Sequence, residues 1–349
     1  MWIAKLIFLI FLPFLQAQEE PISEVTVQLE DVQDEETSKK WKLFGEMAFE
    51  SKRQQLGNQR SDINPGVQNF AFGINYQFLN DLSGTFEILA EQNNDDVDVY
   101  FGQVFADYNL PFVKGFNIKA GQRYYDFGVL TGLEGLLTQR PDYYNDLLVS
   151  RRGIDLGATL LWQPAESLPL TVSYSYFTGR TFRPGDQNVE NATLDPQYLR
   201  LSFRPRWFEI HATYLTREYI DRPRFDALGF EAQSKEFGFF NNRLKLSALS
   251  EAWQMTYERQ DGLQREGQTF LAGGMLSFYG FFYRPLFSQE TWSSQGLSDL
   301  RSNFVLNGLG YKFNKHFILE YQNIQRQQNV SSSILQNVNE EAFRLVLAL

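Results

Sequence analysis

The sequence predicts an all-β fold, a transmembrane antiparallel β-barrel of about sixteen strands with short periplasmic turns and long external loops. Three observations predict it. Apolar residues recur with period two in segments of about ten residues, which is the strand signal and the length that crosses a bilayer when tilted. The interruptions alternate between short and long, as they do at the two ends of such a barrel. The chain holds 32 Phe and 17 Tyr, yet its hydrophobic share is an ordinary 43%, so half of each strand is greasy and half is wet.

Residues 1–17 come first. Lys5 is a short positive region, Leu6 to Leu15 is an apolar run broken by Pro13, and Leu-Gln-Ala precedes Gln18. The run is too short to span a bilayer as a helix and reads as a cleaved secretory signal. Residues 18–40 are rich in Glu and Asp and nearly free of aromatic side chains, which reads as a solvated acidic periplasmic tail. Val25, Val27 and Leu29 leave a short strand as the rival reading there.

The barrel is placed over 41–349. Trp41, Leu43, Gly45, Met47 and Phe49 alternate with polar or small residues. So do Phe70 to Phe78, Leu82 to Ala90, Phe116 to Ala120, Ile154 to Trp162 and Leu170 to Tyr176. The pattern continues at Leu199 to Phe203, Phe208 to Tyr214, Leu244 to Ala248, Phe317 to Tyr321 and Phe343 to Leu349. It is weakest between 225 and 300. Short turns fall at Asn80-Asp81, Leu110 to Gly115, Gln163 to Pro169, Arg204 to Arg206 and Asn314-Lys315. Longer polar segments fall at 51–66, 124–152, 179–196, 217–225, 288–300 and 328–339. In lipid every backbone polar group must be paired, so the sheet must close. Apolar alternates then face lipid and polar alternates face the lumen, and about sixteen strands leave room for an aqueous channel. Tyr100, Tyr108, Trp162, Tyr176, Trp207 and Tyr214 lie near strand ends, as interfacial aromatics should. A soluble β-sandwich or propeller is the bland alternative, but neither needs such loop asymmetry.

The segment 124–152, YYDFGVLTGLEGLLTQRPDYYNDLLVSRR, is too apolar for a solvated loop and too irregular for a strand. It is the expected constriction loop, folded into the lumen; a compact loop outside the barrel is the rival. Its charged candidates are Glu134, Arg140, Asp142, Asp146, Arg151 and Arg152. Lys119, Arg123, Arg200 and Arg204 are expected to face them from the wall.

The stretch 121–160 resembles the phosphate-selective porins O and P. Phe127-Gly128, Leu133-Glu134, Leu136 and Arg152-Gly153 occupy the places of that family's loop between two strands. The segment 308–322 followed by 339–349 looks like its closing hairpin and last strand, and 277–287 is faintly similar to a further family segment, without its Thr-Gly-Glu. The likeness covers about a third of the chain. It implies a porin-like barrel assembled as a homotrimer, and does not extend to phosphate selectivity.

Other chemistries find little support. There is no Cys, hence no thiol nucleophile or thiolate metal site, and His211 and His316 alone cannot form a multi-histidine site. A formal charge of −10 argues against a nucleic-acid partner. Ser202 and His211 fall on neighbouring strands, but on the lumen side, whereas an outer-membrane lipase site must face its bilayer substrate. The acidic run Asn93 to Asp98 lacks the glycine and distal Glu of a calcium loop. No catalytic residue, metal or cofactor is therefore assigned. The expected partners are outer-membrane lipid and lipopolysaccharide, and small hydrophilic solutes or anions in passive transit. A surface adhesin or structural barrel with a plugged lumen is the alternative.

Overall fold

The computed structural model describes residues 40–56, 59–61, 64–93, 96–125, 128, 141, 154–165, 168–178, 193–219, 224–258, 264–294, 299–314, 316–330 and 333–348. The signal and nearly all of the tail lie outside the described residues. So do Glu134, Arg140, Asp142, Asp146, Arg151 and Arg152.

Period-two segments become strands in chain order: β1 Trp41–Leu56, β2 Gln59–Arg60, β3 Asn64–Leu79, β4 Leu82–Asn93, β5 Asp96–Asn109 and β6 Phe116–Tyr124. Then come β7 Ile154–Trp162, β8 Leu170–Phe177, β9 Thr193–Phe203, β10 Phe208–Tyr219, β11 Arg224–Ser234 and β12 Phe237–Phe239. The last are β13 Leu244–Glu258, β14 Gln264–Phe278, β15 Phe281–Ser294, β16 Leu300–Asn314, β17 Phe317–Val330 and β18 Ser333–Ala348. The two-residue β2 extends the β1–β3 hairpin, and β12 continues β11 along the same partner strand. Sixteen full staves remain. Each pairs antiparallel with its sequence neighbour, and β1 also pairs β18, so the sheet closes without an edge.

Two short turns escape the sequence pattern. Tyr279-Gly280 joins β14 to β15 with φ of 50° and 86°, the left-handed geometry a two-residue hairpin needs. Phe240, Asn241 and Asn242 also adopt positive φ between β12 and β13. The strands are also longer than the periodicity suggests: 288–294, 328–330 and 333–339, expected as loop, are strand. Near the long-loop end residues on both faces are polar, so the alternation that marks a strand inside lipid disappears there.

The outward face carries Leu43, Ile74, Phe86, Leu160, Leu199, Ile210, Leu228, Phe270, Leu309 and Phe343, all exposed. An aromatic belt circles the short-turn end, with ring contacts Phe116–Trp162, Trp207–Phe237, Phe281–Tyr311 and Phe313–Phe317 at centroid distances of 5.8, 5.9, 4.6 and 4.8 Å. Such a belt belongs at a membrane–water boundary. A bulge in β5 shows how strictly the wall pairs its backbone. Gln122 Nε2 donates to the carbonyls of Phe101 and Gly102 at 2.7 and 2.8 Å, and Glu87 accepts from the Gln103 amide at 3.1 Å.

Candidate functional site

The inward face of the staves lines the lumen, and many of its charged side chains lie in opposite-sign groups. At the closing seam Arg344 Nε sits 3.3 Å from Glu50, and Lys52 Nζ 3.0 Å from Glu340. Arg284 pairs with Glu320, which also accepts from Gln322 at 3.0 Å. Gly308 makes room for that pair, since a Cβ there would meet Glu320 and Arg284. These groups tie β15, β17, β18 and β1 together across the join of the first and last strands.

A second group lies across the barrel. Arg200 on β9 reaches Glu231 on β11 at 2.8 Å, and Thr213 between them donates to the same carboxylate at 3.1 Å. His211 Nδ1 is 2.8 Å from Ser202 Oγ, and its Nε2 is 3.4 Å from Glu209, which also faces Arg204 at 3.4 Å. The expected neighbourhood of Ser202 and His211 is thus real. Both are buried in the wall, and the set forms a hydrogen-bond chain between staves.

The wall candidates are differently placed. Lys119 lies 3.6 Å from Asp107 on the neighbouring stave. Arg123 is buried at the long-loop end of β6, bonded to Thr159, 3.4 Å from Ser175 and 5.4 Å from the Phe177 ring centroid. Arg200 is inward-facing and paired. Arg204 is not on the wall: it occupies the short turn after β9, at the end of the barrel opposite the root of 124–152.

The two-face rule also has an exception. Tyr125, Phe177, Tyr198, Leu215, Phe225, Trp253, Met255, Leu271, Leu286 and Phe304 form one apolar cluster on the inward face. Leu215, Met255 and Leu271 have no exposure at all. Four arginines lie on its rings: Arg217 over Phe225 and Arg265 over Trp292, both at 4.4 Å, Arg123 over Phe177 at 5.4 Å and Arg326 over Phe304 at 5.6 Å. Sequence reading missed Glu231, Arg265, Arg284, Arg326 and Glu340. Strand parity would have found them, but apolar residues on both faces of β11, β13 and β15 hide the parity.

No family model matches the chain, and no curated protein does. Solved structures do match. An anion-selective porin from Comamonas acidovorans aligns over 88% of this chain and 99% of its own, with a TM-score of 0.64 and 10% identity. The fold is that of outer-membrane porins. The outer membrane channel DcaP of Acinetobacter baumannii aligns over 88% of this chain and 97% of its own, at TM-score 0.62 and 9% identity. The outer membrane protein OmpT of Vibrio cholerae, in its trimer form, gives 0.59 and 10% over 88% of this chain and 99% of its own. At such identities the likeness is one of fold. It does not single out the phosphate-selective group among porins.

Proposed function

We propose that this porin-fold barrel is a bacterial outer-membrane channel through which small hydrophilic solutes or ions diffuse passively past a charged constriction. The carrying observation is the division of the wall: exposed apolar side chains outside, and charged groups of both signs around the ring inside. A lipid-filling or soluble barrel has no use for that division. Residues 1–17 act as the export signal and 18–40 as a periplasmic tail. The short turns face the periplasm, the long loops face outward, the outer wall meets lipid and lipopolysaccharide, and the assembly is a homotrimer.

The segment 124–152 supplies the narrow point, with Glu134, Arg140, Asp142, Asp146, Arg151 and Arg152 facing the wall that holds Lys119, Arg123 and Arg200. Tyr125 at its root supports this, because its ring already sits inside the barrel 4.8 Å from Phe177 and 5.0 Å from Tyr198. The fully buried inward cluster also favours a second reading, a surface protein whose lumen is filled by protein. Planar bilayers separate the two. The channel reading expects stepwise conductance that rises when 131–147 are deleted from a barrel that still folds. A lasting absence of conductance in both proteins favours the filled barrel, and conductance unchanged by the deletion moves the loop outside the pore.

A further inference from the structure

We infer, on the reading of 18–40 as a tail that the mature chain keeps, that the basic rim at the short-turn end of the barrel is the docking surface for the acidic segment 18–39 of the same chain. The rim comprises the short turns and the three strand residues on either side of each. Beyond Lys40, its exposed cations among the described residues are Lys42, Lys114, Arg204, Arg206, Arg243 and Lys312. Asp81 is the one exposed carboxylate there among the described residues. Three further carboxylates are half-buried and each already faces a cation: Asp107 at 3.6 Å from Lys119, Glu209 at 3.4 Å from Arg204 and Glu236 at 2.5 Å from Lys245. A chain with a formal charge of −10 thus carries positive charge in excess at one end.

Part of that charge points away from lipid. Lys42 stands opposite Asn75, whose side chain turns inward to Thr85. Lys312 shares the parity of Gly308, which lies against the inward Arg284–Glu320 pair. Arg204 reaches the inward Glu209. Phospholipid headgroups around the outer wall do not reach these three, whereas a segment lying over the mouth does.

The segment that precedes β1 fits by charge, by reach and by its point of attachment. Residues 18–39 hold eight carboxylates and one cation, Lys39. They join the barrel at this same end: the Lys40 carbonyl accepts from the Gln77 amide at 2.6 Å, and Trp41 stands opposite Tyr76. Sixteen strands about 4.8 Å apart and tilted by about 40° enclose a ring about 30 Å across. A chain of this length spans at most about 70 Å when extended, so the segment reaches every turn of the rim from its root. A mouth lined by one sign of charge between low-dielectric walls attracts the opposite sign. A tethered partner acts at a local concentration on the order of millimolar, which a free polyanion must match.

Carbodiimide joins a carboxylate to an amine that touches it and leaves no spacer. Full-length mature protein in its own outer-membrane fragments, treated at about 0.1 M salt, should yield peptides that link acids of 24–36 to Lys312 and Lys114 within one chain. The screening length falls from about 10 Å at 0.1 M salt to about 3 Å at 1 M. At the higher salt these links should be lost while the barrel stays heat-modifiable. A variant with Asp31→Asn, Asp34→Asn, Glu35→Gln and Glu36→Gln leaves every strand unchanged. In it an acetylating ester should modify Lys312 faster than in the unsubstituted chain, and Lys52, beside Glu340 on the wall, at the same rate. Acids of the segment linked to Lys39 and Lys40 alone overturn the inference, as do links found only between two chains. Links from Lys312 to peptidoglycan carboxylates in place of the segment also overturn it. A mature chain that begins after residue 39 overturns it together with the tail reading, and N-terminal sequencing tells that outcome from the others. Conductance plays no part in these readouts, so a failed channel reading leaves them unaffected.

Discussion

Arg344 shows what a single buried side chain does in this wall. It is 1% exposed, faces Glu50 at 3.3 Å and stands opposite Glu320 in register. Removing one member of a buried ion group leaves its partner charged and unpaired, which costs about 3–5 kcal/mol. Arg344→Met should therefore lower the unfolding free energy of the barrel by that order, read as a lower midpoint in urea. Adding Glu50→Gln to it should recover part of the loss, because the stranded carboxylate is then gone. Equal midpoints for Arg344→Met and the unsubstituted protein would show that the seam closes on backbone pairing alone. Glu50, Glu320 and Arg344 were legible as inward positions from parity in the sequence, but Arg284 was not, nor was the pairing among them, since partnership depends on register. Register is fixed by turns such as Tyr279-Gly280, whose left-handed residues the alternation does not announce.

At the scale of one strand, β3 carries both faces of the argument. Phe72 points outward, opposite Ile88 on β4, and Asn75 points inward and donates to Thr85 Oγ1 at 3.0 Å. An arginine turned to lipid near the midplane costs about 2–4 kcal/mol, whereas a lumen position tolerates charge. Phe72→Arg should reduce the heat-modifiable fraction recovered in outer membranes, and Asn75→Arg should leave it near normal. Similar losses from both would reverse or abolish the assignment of faces. Strands like β3 were readable because only one of their faces is apolar. Those from β11 to β17 were blurred because inward Phe225, Trp253, Met255, Leu286 and Leu306 give them two apolar faces. The barrel's existence was therefore plain in the sequence, while the boundaries between 225 and 300 were not.

For the whole molecule the question is which ions the ring favours. The chain is acidic by ten charges, yet Glu19, Glu20, Glu24, Glu30, Asp31, Asp34, Glu35 and Glu36 all precede β1 in the sequence and are not part of the wall strands. Inside, each of Lys52, Lys119, Arg200, Arg284 and Arg344 has a carboxylate beside it. A low-dielectric wall focuses whatever charge is left over, so selectivity follows from imbalances within these groups rather than from the net charge of the chain. The Arg200–Glu231 pair is the clearest place to create one, because Thr213 holds the carboxylate independently of the arginine. Arg200→Gln leaves an anion on the wall and should move the reversal potential in a salt gradient toward cation preference. Glu231→Gln leaves a cation and should move it the opposite way, while the double substitution should return it close to the starting value. Shifts of the same sign in both single variants would mean that the substitutions act by altering the width of the pore, and no shift in either would place this pair outside the path of the ions.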